Sequence, residues 1–283
     1  LFEENDYAAK KIDVWGISDK NLFLESNRVL KQQTKPFFAV IQTADNHRPY
    51  SIPAEDKNEF KLLTYSADSL KRFGFESNEE MNAFRYTDFS YQKFMEAAKK
   101  EPYFKNTIFV FVGDHGIRYN GSLEYFPKSW TEQGLTCEHV PLLFYAPALL
   151  KPQRVHNVCS QIDILPSIAS LAKIPYMNNS LGRNLFDTVA YAQVLGHDEI
   201  IPRLPKYTAF VIDHDLHTIG IVNNQYYYLK NLKTGKDDLV SSIGNNPVKE
   251  SAETDSVKNY LQQLTDAYYE TSKYLLLNNK KRK

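Results

Sequence analysis

The chain has 283 residues, with 34 Lys plus Arg against 34 Asp plus Glu, so it lacks the overall positive field that draws a protein onto nucleic acid. Hydrophobic residues make up 42% and charged residues 24%, the make-up of an ordinary folded protein, which excludes disorder for the bulk. No run approaches the roughly eighteen unbroken apolar residues of a bilayer span, and two cysteines, Cys137 and Cys159, are too few for a disulfide scaffold or a cysteine metal cage.

The chain starts at Leu1 on a mixed polar and apolar stretch, without a signal peptide. This suggests a piece of a longer polypeptide whose anchor or address lies elsewhere. Ser18 or Asp19 can cap a helix carrying Leu22, Phe23, Val29 and Leu30. Pro36 then opens the apolar run Phe37 to Ile41, which reads as a buried strand. Residues 79 to 100 place Met81, Phe84, Tyr91, Phe94, Met95 and Ala98 at helical spacing, and a second apolar run, 107 to 112, follows. A helix between two continuous apolar runs is the pattern of a βαβ unit with parallel strands covered on both faces.

The pattern continues with a strand over 140 to 145 and a helix over 162 to 172 carrying Ile164, Leu165, Ile168 and Leu171. From about Tyr207 the texture changes to short alternating stretches, 208 to 212, 218 to 222 and 226 to 229, with His214, Asp215, Asn223 and Asn224 between them. These predict antiparallel strands joined by turns. A closing helix over 253 to 277 follows, and Lys280 to Lys283 form a basic tail whose simplest reading is a solvated terminus. The expected fold is therefore α/β, a mainly parallel sheet sandwiched by helices over 1–205, with a small antiparallel sheet and helix over 206–283.

The sharpest chemical signal is Phe109-Val110-Phe111-Val112-Gly113-Asp114-His115-Gly116. In open α/β sheets ligands bind beyond the carboxyl ends of strands, and a carboxylate and an imidazole at that place suit a divalent cation. The alternative is a turn in which Asp114 caps the following segment. A second signal, Asp45-Asn46-His47-Arg48-Pro49-Tyr50, follows the run ending at Thr43. There His47 and Arg48 suit an anionic phosphoryl or sulfuryl group, through a hydrogen bond and a bidentate contact respectively. His139, before the strand at 142, is a weaker candidate. His214 and His217 read as turn residues, and His156 and His197 carry no recognisable context.

These residues resemble the sulfatase-like branch of the alkaline phosphatase superfamily, in which an apolar strand ends in Asp-His-Gly as Val112 to Gly116 do. Trp15-Gly16-Ile17-Ser18-Asp19, the Asn-His-x-Pro-Tyr of residues 46 to 50 and the Tyr-x-Asp of Tyr86 to Asp88 are similar to its phosphoglycerol transferase subgroup, which includes the lipoteichoic acid synthases. Gln161-Ile162-Asp163-Ile164-Leu165-Pro166 and Gly182-Arg183-Asn184-Leu185 resemble the general sulfatase pattern.

The resemblance implies that Asp114 and His115 ligate a divalent metal (Mn, Zn or Mg), that His47 acts on the transferred phosphoryl group with Arg48 beside it, and that Asp163 fixes the start of its helix. It implies phosphoglycerol transfer between lipid headgroup phosphodiesters and a glycan or similar acceptor. Such a parent would be membrane-anchored outside this chain and would face the extracytoplasmic side of the envelope, with no nucleic-acid partner. The alternatives are a sulfatase, phosphodiesterase or phosphatase of the same superfamily, or a catalytically incomplete anion- or glycan-binding domain. In the family a threonine nucleophile and a further acidic ligand precede the Trp-Gly segment, and neither is matched here, so the chain alone is expected to be inactive. Ser18 and Thr43 are the hydroxyls to inspect should it turn over.

Overall fold

A computed structural model describes residues 2–3, 6–118, 125–187 and 207–278 of the chain. They form two compact units, one built mainly from residues up to Thr107 and the other from Ile108 onward. The boundary expected at 205 falls within 188–206, outside the described residues.

The first unit is helical. Ser18 caps α1 (Asp19–Leu30), its hydroxyl accepting from the Asn21 amide, and Asp19 in the first turn complements the helix dipole. A short helix, α2 (Ala67–Arg72), precedes α3 (Asn78–Ala98), which starts at Ser77 with Glu79 and Glu80 in its first turn. The two longer helices pack through aromatic rings, Phe23 lying 5.1 Å from Tyr91 and 5.0 Å from Phe94 between centroids. Deeper in the unit, Asp56 accepts from the buried Tyr86 hydroxyl and pairs with Lys20.

The strand expected over 37 to 41 is a correction. The run joins no ladder among the described residues, and Phe38 and Val40 are 71% and 79% exposed. Apolar β-branched and aromatic composition favours extended backbone, but a strand also needs a partner, and no described segment supplies one.

In the second unit β1 (Phe109–Val112) pairs with β2 (Leu142–Tyr145), Phe109 opposite Tyr145 and Val112 opposite Leu142. The pairing is antiparallel, where the apolar runs predict parallel strands. Composition reports burial on both faces and is silent on direction. Moreover, the helices between the two strands, α4 (Lys128–Thr131) and α5 (Leu135–Glu138), are single turns, not the long crossover that parallel neighbours need.

Helix α6 (Ile164–Leu171) is fixed at its start by Asp163, whose carboxylate accepts from the Ser160 and Arg183 amides at 2.9 Å. The C-terminal part is a four-stranded antiparallel meander, β3 (Ala209–Asp213), β4 (Thr218–Val222), β5 (Tyr226–Asn231) and β6 (Asp237–Ser241), followed by α7 (Ala252–Asn278). Period-two alternation sends neighbouring tyrosines to opposite faces. Tyr228 joins Ile221, Leu239, Val257 and Leu261 under α7, whereas Tyr227 joins Val211 and Leu135 on the other side. No helix among the described residues is long and apolar enough to cross a membrane.

Candidate functional site

Past Val112 the chain enters the loop that carries Asp114 and His115, and it is tied down at four points. The Gly113 amide donates to the Pro141 carbonyl at 3.3 Å and the Gly116 amide to the Cys137 carbonyl at 2.7 Å. Gln161 spends both protons of Nε2 on the loop, donating to the carbonyls of Gly113 and Asp114 at 2.7 Å each. Arg118 Nη2 donates to Asp213 Oδ2 at 3.0 Å. A Cβ at position 116 would lie 2.0 Å from the Thr136 carbonyl oxygen, so only glycine allows this approach.

The two oxygens of Asp114 have separate partners. Oδ1 accepts from the His115 amide at 2.9 Å, a contact between chain neighbours, and Oδ2 stands 4.0 Å from His115 Nε2. His115 Nδ1 lies 2.8 Å from the Gly116 carbonyl. A carbonyl can only accept, so Nδ1 carries a proton, and in the neutral ring Nε2 presents a lone pair. Zinc bonds to imidazole nitrogen and carboxylate oxygen run to about 2.0–2.2 Å each, so Oδ2 and Nε2 can reach one ion, and both side chains are well exposed. The pair fits two positions of a donor set. Among the described residues no group of three or more His, Cys, Asp or Glu side chains is arranged to hold a metal.

Asp213 is a charged residue inside a strand, 6% exposed, whose other oxygen accepts from the Leu216 amide. A buried carboxylate needs a cation, and Arg118 provides it. Around this pair burial pushes Glu138 upward from the usual carboxylate range, with Asp213 adding to the shift and Arg118 opposing it. Burial likewise raises the Cys137 and Cys159 thiols, and both cysteines are free.

In the first unit His47 and Arg48 share the loop that enters α1's N-terminal region. The Asp19 carboxylate accepts from the Ala44 amide at 2.8 Å and the Asp45 amide at 3.3 Å, while Asp45 Oδ2 accepts from the Asp19 amide at 2.7 Å. Both acids are buried. Asp45, with fewer donors and the Asp19 charge beside it, is pushed up to about 8, chiefly by burial. His47 Nδ1 lies 3.1 Å from the Ala44 carbonyl, and the Trp15 ring covers the imidazole at 4.2 Å between centroids. Trp15 Nε1 donates to the Arg48 carbonyl at 2.8 Å. The Arg48 guanidinium itself is engaged on the surface by Glu76 and by the Tyr50 hydroxyl.

Asp114 and His115 thus form one pair on a second-unit loop, and His47 and Arg48 another on a first-unit loop. Of the other histidines, His139 packs its ring edge-on to Trp130, and His214 and His217 lie in the β3–β4 turn. His197 lies outside the described residues. Of the supporting residues, Asp19 and Gln161 stand in the motifs quoted from the sequence but without this role, and Arg118 and Asp213 are not singled out there. Asp213 leaves a signal, a lone carboxylate closing an apolar strand.

The sulfatase family profile matches residues 1–174. Lipoteichoic acid synthase 1 of Bacillus subtilis is 28% identical over 249 residues, covering 83% of this chain and 36% of that protein. Arylsulfatase K of Gallus gallus is 30% identical over 148 residues, covering 50% and 26%. A solved structure of a protein in the alkaline phosphatase superfamily from Vibrio parahaemolyticus superposes with a TM-score of 0.67 at 23% identity, covering 95% of this chain and 59% of that one. The chain therefore spans about a third or less of these curated relatives, and its α/β fold is that of the alkaline phosphatase superfamily.

Proposed function

Because the chain belongs to the sulfatase family, we propose that it is the C-terminal part of a metal-dependent phosphoglycerol transferase acting on headgroup phosphodiesters of membrane lipids. The observation that carries this reading is the Asp114–His115 pair, clamped past the end of an apolar strand with Oδ2 and Nε2 4.0 Å apart. In this reading His47 contacts the transferred phosphoryl group. The acceptor is a glycan or similar hydroxyl compound, nucleic acid is not a partner, and the parent is anchored so that this chain faces the extracytoplasmic side of the envelope.

A bound divalent ion, Mn, Zn or Mg, supplies charge neutralisation at the phosphoryl oxygens and a lowered pKa for an attacking hydroxyl. This chain's own contribution is to hold Asp114 Oδ2 and His115 Nε2 as donors and to offer His47 Nε2 to an oxygen of the transferred group. Ser18 is buried as the α1 cap, and the Thr43 hydroxyl engages Tyr91, so neither stands as a nucleophile. The reading places that group outside the described residues and expects the chain by itself to be silent.

The likeness to arylsulfatase K favours one other reading, sulfuryl transfer at the same residues. Both are tested by titrating Mn(II) into the chain and its Asp114→Ala and His115→Ala variants by electron paramagnetic resonance, alongside assays with a fluorescent phosphatidylglycerol analogue and an aryl sulfate. Weak binding lost in both variants, with no turnover, is expected. Unchanged binding in the variants contradicts the metal assignment. Turnover of the aryl sulfate alone selects the second reading.

A further inference from the structure

The His47 loop is built more elaborately than an exposed turn requires. Four observations bear on one ring. The Ala44 carbonyl receives both the His47 amide, at 3.0 Å, and His47 Nδ1, at 3.1 Å. The amide of the same residue, Ala44, is gripped by the buried carboxylate of Asp19 at 2.8 Å. Asp19 is in turn fixed from the other side, its own amide bonded to Asp45 and its second oxygen 3.2 Å from the Thr87 hydroxyl on α3. Trp15 lies over the imidazole and is anchored to the Arg48 carbonyl.

We propose that Asp19 is a positioning residue for His47, locking residue 44 so that its carbonyl holds Nδ1–H and commits Nε2 to the bound anion. The inference rests on the reading of His47 as a phosphoryl contact and adds the device that sets its tautomer. The chemistry is specific. The free histidine side chain prefers its proton on Nε2, and a carbonyl fixed beside Nδ1 reverses that preference because it can only accept. His47 is half-buried, and its opposite ring nitrogen is left as an acceptor when neutral and, once protonated, as a donor to a phosphoryl or sulfuryl oxygen.

Asp19 acts here through position. Its oxygens touch backbone and Thr87, so it has no role at the reacting atoms. Replacing it by asparagine keeps shape but removes charge from an acceptor that serves two amides. The weakened grip lets the Ala44 carbonyl drift, and the Nδ1–H form loses its advantage.

The experiment is long-range nitrogen–proton correlation of the histidine rings in the full 283-residue chain, at a pH where His47 is neutral. It compares wild type with Asp19→Asn and Trp15→Phe. In the wild type His47 is expected in the Nδ1–H form. Asp19→Asn should move the tautomer ratio toward Nε2–H by about fivefold, the effect of one hydrogen bond of ordinary strength, while Trp15→Phe, which keeps an aromatic cover, should leave it in place. A wild-type His47 carrying its proton on Nε2 overturns the proposal without reference to any variant, as does an unchanged ratio in a folded Asp19→Asn. Adding inorganic phosphate separates the two levels. A correct tautomer with no phosphate-dependent shift of His47 counts against the phosphoryl reading and leaves the positioning role supported. A phosphate response with the wrong tautomer does the reverse.

Discussion

Two carboxyl groups buried against each other cannot both ionise cheaply, and Asp19 and Asp45 divide the burden. Asp19 accepts from two amides and neighbours the Thr87 hydroxyl; Asp45 has the single Asp19 amide and is pushed up to about 8. The unfolded carboxyl releases its proton near 3.8, so between that value and about 8 the folded chain binds more protons than the unfolded one. Stability from this group is fully present below the unfolded value and is lost as pH rises through the folded one. In that interval the wild type loses up to about 1.4 kcal/mol per pH unit through Asp45. Asp45→Asn keeps an acceptor for the Asp19 amide and removes the titration. Chemical denaturation at pH 5 and pH 8 should show a smaller drop in the variant than in the wild type. Equal drops would mean that Asp45 is ionised in the fold.

At the scale of elements, the candidate ligand loop is held by parts far apart in sequence, and each tie can be cut alone. Gln161→Ala removes both donors to the Gly113 and Asp114 carbonyls. Amide exchange at Gly116, whose amide is bonded to Cys137, should accelerate by about fivefold per hydrogen bond lost. Unchanged exchange would show that the other three ties suffice. On the far side of the sheet, Leu261 of α7 is 1% exposed and packs on Ile221 and Tyr228. Leu261→Ala should cost about 2–5 kcal/mol in denaturant melts, and a cost below about 1 kcal/mol would show that α7 is not part of the core.

Elements with strong local signals were legible. The helices α1, α3 and α7 follow from apolar periodicity and caps such as Ser18, and β3, β4 and β5 from alternation between turn residues. Strand direction and pairing were not, because Phe37 to Ile41 and Val140 to Tyr145 have the same apolar character whether or not a neighbour pairs with them. The fourth strand of the meander, Asp237 to Ser241, was hidden by its polar start. Of the site, Asp114, His115 and His47 stood out as chemistry-bearing types at the ends of apolar runs. The residues that aim them did not: Gln161 acts through two main-chain carbonyls and Asp19 through two amides, contacts with no sequence period.

At the scale of the whole molecule, the function turns on whether Asp114 and His115 of the second unit hold a divalent ion. The most direct test is a Mn(II) titration of the chain followed through the ring-carbon proton signals of its seven histidines. Paramagnetic broadening falls off steeply with distance from the ion. His115 is expected to broaden first, at substoichiometric additions, and Asp114→Ala to abolish the effect. Broadening of His115 that survives Asp114→Ala, or broadening confined to other histidines, would contradict the metal assignment.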